Sequence, residues 1–277
     1  MRPDLAAFID HTLLRPDAVE TDFERLCRDA SQHSFATVCV NSAHVPLCTA
    51  LLADCQVPVA ATVGFPLGAA NTAGKVAEAK KAVLDGAGEL DVVCSIAALK
   101  EGARGAFLED VRRVVDAADG RPVKVILETC LLDDEEKRRG AAWTREAGAA
   151  FVKTSTGFGR GGATVDDVRL LRSVVGPDFG VKASGGIRDA ATADAMIAAS
   201  FDVEVPRLPG HGTTIDDMLP TTWADWSAEV AAALDHAVQP FVLLLDREDA
   251  NGFLIRNVHA LRLSRGVHSL PINIGRG

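Results

Sequence analysis

The chain is short of positive charge. Its 277 residues carry 29 lysines and arginines against 38 aspartates and glutamates, a net −9 at pH 7. That balance argues against nucleic acid or an anionic membrane as the main partner, while leaving room for a local basic pocket. No apolar run reaches about 18 residues, so no transmembrane helix is expected. The opening Met1-Arg2-Pro3-Asp4-Leu5 lacks the apolar core of a signal peptide. Six cysteines occur, at 27, 39, 48, 55, 94 and 130, but none form a CxxC pair, and the seven histidines show no ligand spacing with them. The expectation is a cytoplasmic protein with reduced thiols and no bound metal. No GxGxxG follows the first strand-like segment, so the usual signature of a dinucleotide site is missing as well.

What is present is an ordinary globular composition, 48% hydrophobic and 24% charged, enough for one large α/β domain. Seven short apolar segments recur with a steady beat at 8–13, 36–41, 59–65, 89–95, 123–128, 150–156 and 179–183. Strands of this kind, apolar on both faces, belong to a parallel sheet. Amphipathic helices are predicted between them at 72–84, 106–118 and 133–147, and a further one follows Thr164. The third opens with Asp133, Asp134, Glu135 and Glu136, acid where the helix dipole favours it. Thr164-Val-Asp-Asp reads as a capping box with Asp in place of Glu. Seven βα beats in about 200 residues with no composition break predict a (β/α)8 TIM barrel, with 1–200 as its core and an atypical eighth βα unit in a divergent region 201–277. Residues 201–205, Phe-Asp-Val-Glu-Val, are the candidate eighth strand. A helix over 223–238 and a short apolar strand over 241–245 follow.

Two lysines stand inside strand-like runs: Lys153 in Ala-Phe-Val-Lys-Thr-Ser-Thr-Gly and Lys182 in Gly-Val-Lys-Ala-Ser-Gly-Gly. An ammonium in an apolar strand must be paired or have its pKa lowered. A neutral lysine amine is the nucleophile of Schiff-base chemistry. On neighbouring parallel strands, about 4.8 Å apart, each ammonium disfavours the other. Pairing with carboxylates, as barrel braces, is the alternative. Asp91 in Glu-Leu-Asp-Val-Val is a third strand charge, either an ion-pair partner for a lysine or a group for proton transfer.

Glycine-rich loops follow strands six and seven, Gly157-Phe-Gly-Arg-Gly-Gly and Ser184-Gly-Gly-Ile-Arg, where barrel enzymes commonly hold a phosphate. Asp10-His11-Thr12 and Cys39 are expected at the pocket mouth, with a satisfied core histidine as the alternative for His11. Asn41 and Asn71 read as turn or cap residues.

With these residues assembled, the chain resembles the deoxyribose-phosphate aldolases, class I aldolases of the DeoC type. The matching stretches run in order from residue 9 to about 190: IDHTLLRPDA, TVCVNSAHV, VAATVGFPLGAANTAGKVAEAKKAV, ELDVV, AALKEG, VKVILET, FVKTSTGF, GGATVDDVRLLR and VKASGGIRD. The resemblance implies reversible cleavage of 2-deoxy-D-ribose 5-phosphate to D-glyceraldehyde 3-phosphate and acetaldehyde. It also implies Lys153 as the Schiff-base lysine, Lys182 as the cation that keeps it neutral, and Asp91 as a proton relay with Lys182. Backbone around Gly157, Gly185 and Gly186 would hold the phosphate. Neither metal nor organic cofactor is implied, and a homodimer is an allowed assembly. The chain departs from the family pattern near Ser200: the Gly-Ala segment and Gly-Thr-Ser type loop are replaced, and no tyrosine exists to supply the terminal one of some members. A class I aldolase with an altered acceptor, or a non-catalytic sugar-phosphate-binding remnant, are the competing expectations.

Overall fold

The structure is a computed structural model that describes residues 3–201 and 241–246. Eight strands, β1 (Ile9–Leu13), β2 (Thr37–Asn41), β3 (Val59–Val63), β4 (Glu89–Val93), β5 (Val123–Ile126), β6 (Phe151–Lys153), β7 (Gly180–Ala183) and β8 (Phe241–Asp246), form a closed barrel in chain order. Every neighbouring pair is parallel, including β7 with β8 and β8 with β1. The valine-rich strands are buried from end to end, as in β3, because helices cover the outside and side chains fill the inside.

The eighth strand differs from expectation. Phe201 ends the helix Ala190–Phe201, and 202–205 lie outside the described residues, as do the helix expected over 223–238 and the loop after Pro206. Closure is made by Phe241–Asp246, the run expected only as a short strand of the tail. The alternation of Asp202 and Glu204 with apolar residues suits a half-exposed sheet. The uninterrupted Phe-Val-Leu-Leu-Leu suits a strand between two parallel neighbours.

Helix starts follow their sequence signals. Asn71 Oδ1 accepts from Gly74 N at 2.8 Å, so that Asn71 caps the helix Thr72–Leu84. Asn41 holds the N-cap position of the 3-10 helix Ser42–His44, with its side chain turned to donate through Nδ2 to the Leu14 carbonyl at 3.1 Å. Asp133 and Glu136 form a reciprocal box at the start of the helix Asp134–Glu146. At Thr164 only half a box forms: its Oγ1 accepts from Asp167 N at 3.0 Å, while the short Asp167 carboxylate meets Lys137 Nζ at 2.8 Å.

In the helical layer, Lys75 is fully buried and meets Asp110 Oδ2 at 2.6 Å, and Thr72 Oγ1 donates to Asp110 Oδ1 at 2.8 Å. This joins the helices Thr72–Leu84 and Arg104–Ala117. Removing one partner of a buried pair strands the other charge. Asp110→Ala is expected to lower unfolding free energy by about 3–5 kcal/mol in urea titration. A loss below about 1 kcal/mol, the worth of an exposed pair, would contradict that burial argument.

Candidate active site

The barrel interior is ionic where such barrels usually hold apolar layers. Side chains alternate along a strand, so Glu89 and Asp91 of β4 share the inward face. Parallel register then sets Asp91 beside Lys124 of β5, and Lys153 beside Lys182 across β6 and β7. Asp10 of β1 completes the group.

Asp91 Oδ2 accepts from both Lys153 Nζ and Lys182 Nζ, each at 2.7 Å. Lys182 also donates to Asp10 Oδ2. Lys124 Nζ lies 3.2 Å from Asp10 Oδ2, 3.3 Å from Asp91 Oδ1, and in contact with Glu89. Asp10, Asp91, Lys124, Lys153 and Lys182 are all inaccessible to solvent. Both lysines are therefore paired, as the structural alternative expects, but unequally: Lys182 meets two carboxylates and Lys153 shares one.

That inequality separates their electrostatics. Burial pushes the Lys153 amine down, Asp91 pulls it up and the Lys182 cation pushes it down again, leaving it below the ordinary lysine value. Burial opposes the charge on Lys182 too, but Asp10 and Asp91 outweigh it and its pKa is raised. Lys124 is held well above the ordinary value against burial by Asp10, Asp91 and Glu89. Burial works to raise Asp91, yet Lys124, Lys153 and Lys182 hold it well below the usual carboxylate range. Cys39 of β2 is pushed up to about 11 by burial and by Asp91, so it stands as a neutral thiol. Of the three lysines, Lys153 is the one whose ammonium this arrangement disfavours.

Asp10 and Cys39 are thus not at the pocket mouth but fully buried. His11 is not there either. As the residue next to an inward Asp10 it faces the helical layer, with Nε2 3.9 Å from Asp29 Oδ2 and its ring 5.0 Å from that of Phe35. Lys124 and Glu89 were not singled out from the sequence, although Lys124 in Val-Lys-Val-Ile carries the same signal as the other two lysines.

The loop glycines come together in part. Ser184 N donates to Thr154 Oγ1 at 3.0 Å and Ser155 N to Ser184 Oγ at 3.1 Å, which ties the ends of β6 and β7. Gly157, Gly185 and Gly186 all have φ near +80°, open to glycine and costly for other residues. A Cβ on Gly185 would lie 3.0 Å from Gly162 Cα and 3.4 Å from Gly157 Cα, so the two loops touch backbone to backbone. Gly186 faces open space. The helix after each loop is capped by its own side chain, Thr164 or Asp189, so an anion here would meet loop amides rather than bare helix ends. Among the described residues, no group of three or more His, Cys, Asp or Glu is placed to hold a metal ion, and no helix is long and apolar enough to cross a membrane.

A family model for DeoC/LacD aldolases matches residues 5–203. The chain belongs to this aldolase family. Among curated members it is 54% identical to deoxyribose-phosphate aldolase 1 of Bacillus licheniformis over 200 residues, 72% of this chain and 90% of that protein. It is 53% identical to the deoxyribose-phosphate aldolase of Thermococcus gammatolerans, covering 71% of this chain and 89% of that one. The tetrameric deoxyribose phosphate aldolase structure from Aeropyrum pernix superposes with a TM-score of 0.67 at 37% identity, covering 73% and 89% of the two chains.

Within this family member, the charge on Lys182 should set the titration of Lys153. Lys182→Leu removes a neighbouring cation and leaves Asp91 Oδ2 to Lys153, with Lys124 still at Oδ1, so the Lys153 pKa should rise, by about one unit or more. The pH at which formaldehyde and cyanoborohydride half-methylate Lys153, located by peptide mass, should move up. An unchanged or lower midpoint would contradict the electrostatic reading.

Proposed function

We propose that the protein is a deoxyribose-phosphate aldolase acting through a Schiff base on Lys153. The carrying observation is the single lysine with a depressed pKa in a water-excluded cluster at the carboxyl end of a barrel strand, in a chain 54% identical to such an aldolase. In the open form of 2-deoxy-D-ribose 5-phosphate, the Lys153 lone pair attacks C1. The carbinolamine takes up a proton on its hydroxyl and loses it as water, leaving an iminium.

The iminium is the electron sink for the next step. Removal of the C3 hydroxyl proton breaks the C2–C3 bond, D-glyceraldehyde 3-phosphate leaves, and C2 is retained as an enamine. Protonation of C2 and hydrolysis release acetaldehyde and regenerate the amine. Asp91, bonded to both Lys153 and Lys182, is suited to pass protons to and from the reacting groups on Lys153 while Lys182 holds it in place. Lys182 keeps its charge throughout and so keeps Lys153 neutral between turnovers. The substrate phosphate is assigned to backbone amides around Gly157, Gly185 and Gly186, supported by the paired loops and their open side at Gly186.

Six free cysteines support a reducing, cytoplasmic setting. Self-association, with a homodimer as its smallest form, is part of this reading, and the tetrameric Aeropyrum pernix protein supports it.

Incubation with acetaldehyde and borohydride should leave a two-carbon adduct on Lys153, read by peptide mass, and Lys153→Ala should lower kcat by roughly three orders of magnitude or more. An adduct on another lysine, or none, would remove Lys153 from the chemistry. Removing the 5-phosphate from the substrate should lower kcat/KM by about a hundredfold or more, the worth of about two charge-assisted hydrogen bonds. Equal rates would show that no phosphate site operates.

A further inference from the structure

The barrel cluster sets three carboxylates, Asp10, Glu89 and Asp91, against three lysines, so with Lys153 as a free amine it holds one anion more than its two ammonium groups need. Lys124 already meets Asp10 at 3.2 Å and Asp91 at 3.3 Å, yet Glu89 reaches it as a third carboxylate. Glu89 is the first residue of β4, at the face of the barrel opposite the loops, and its side chain is 21% exposed while the others in the cluster are 0–1%. Burying ions is costly, so an anion beyond neutrality calls for a reason.

Among the described side chains, the titratable groups linked through this core are Asp10 of β1, Cys39 of β2, Glu89 and Asp91 of β4, Lys124 of β5, Lys153 of β6 and Lys182 of β7. Glu128, at the end of β5, accepts from Thr156 N at 3.3 Å and stands outside this chain of ion pairs. With Lys153 as a free amine and Cys39 as a thiol, the three carboxylates outnumber the two ammonium groups by one. Forming the iminium takes up one proton overall: the amine and the aldehyde carbonyl join, the carbonyl oxygen leaves as water, and a positive charge remains on Lys153 Nζ. The cluster is then neutral. Without Glu89 it would be neutral at the amine stage and carry an uncompensated cation at the iminium stage, in a site that excludes water.

We propose that Glu89 is a positioning residue for the aldolase reaction, acting through Lys124 to supply the charge that balances the iminium on Lys153. This rests on the Schiff-base reading above. Its consequence is a trade: the same negative charge that stabilises the iminium also favours the Lys153 ammonium, and Lys182 is the counterweight that keeps the free amine accessible. Glu89 does this from the far end of the barrel, without touching the substrate.

The test is the pH dependence of acetaldehyde–borohydride trapping on Lys153, with the plateau iminium fraction read by peptide mass. Glu89→Gln should lower the midpoint by about one pH unit and cut the iminium formation constant about tenfold, since one pKa unit is a factor of ten. Glu89→Asp should keep the wild-type midpoint. Lys124→Gln removes a charge of the opposite sign and should raise the midpoint. It carries the test alone if Glu89→Gln does not fold. An unmoved or raised midpoint in Glu89→Gln, or an unmoved or lowered one in Lys124→Gln, overturns the proposal while leaving Lys153 as the nucleophile. Absence of any wild-type adduct on Lys153 overturns the Schiff-base reading and takes this inference with it.

Discussion

One carboxylate oxygen, Asp91 Oδ2, is shared by two lysines inside a barrel that excludes water. A single negative charge cannot fully satisfy two ammonium groups, so burial falls most heavily on the lysine with fewer partners. Lys182 has Asp10 as well, and Lys153 has not. The chemistry proposed for the protein depends on that asymmetry, and so does the geometry around it. Strand register places the two lysines side by side, and the Thr154–Ser184 cross-links hold the strand ends that carry them.

The cluster is a network rather than a catalytic pair. Lys124 holds the second oxygen of Asp91 and one oxygen of Asp10, and Glu89 extends the chain of charge to the opposite face. Each ion inside the barrel is tolerated because the next one offsets it. The arrangement leaves one titratable position, Lys153, between charges that are firmly held. In the proposed reaction, preorganised charge of this kind needs no rearrangement on forming the iminium.

Much of this was legible in the sequence. Valine-rich runs separated by amphipathic segments indicated the parallel barrel, and lysine within such runs indicated its unusual interior. Other features lay beyond sequence reasoning for definite reasons. Lys124 carries the same signal as Lys153, but no glycine-rich loop follows its strand to mark a pocket. Glu89 reads as a polar strand start, and only the register with β5 shows what it meets. His11 sits next to Asp10 in the chain, but strand alternation sends the two to opposite faces, which a motif read as a block does not reveal. The eighth strand was displaced because order in the chain favoured 201–205. Closure between two parallel neighbours favours the apolar run Phe241–Asp246.

The most direct measurement of the central claim is the titration of the lysine side chains by NMR, with Lys124, Lys153 and Lys182 assigned in selectively labelled protein. The account predicts that Lys153 loses its proton below the ordinary lysine value of about 10.4, while Lys124 and Lys182 remain charged above it. A Lys153 midpoint equal to or above those of the other two would contradict it.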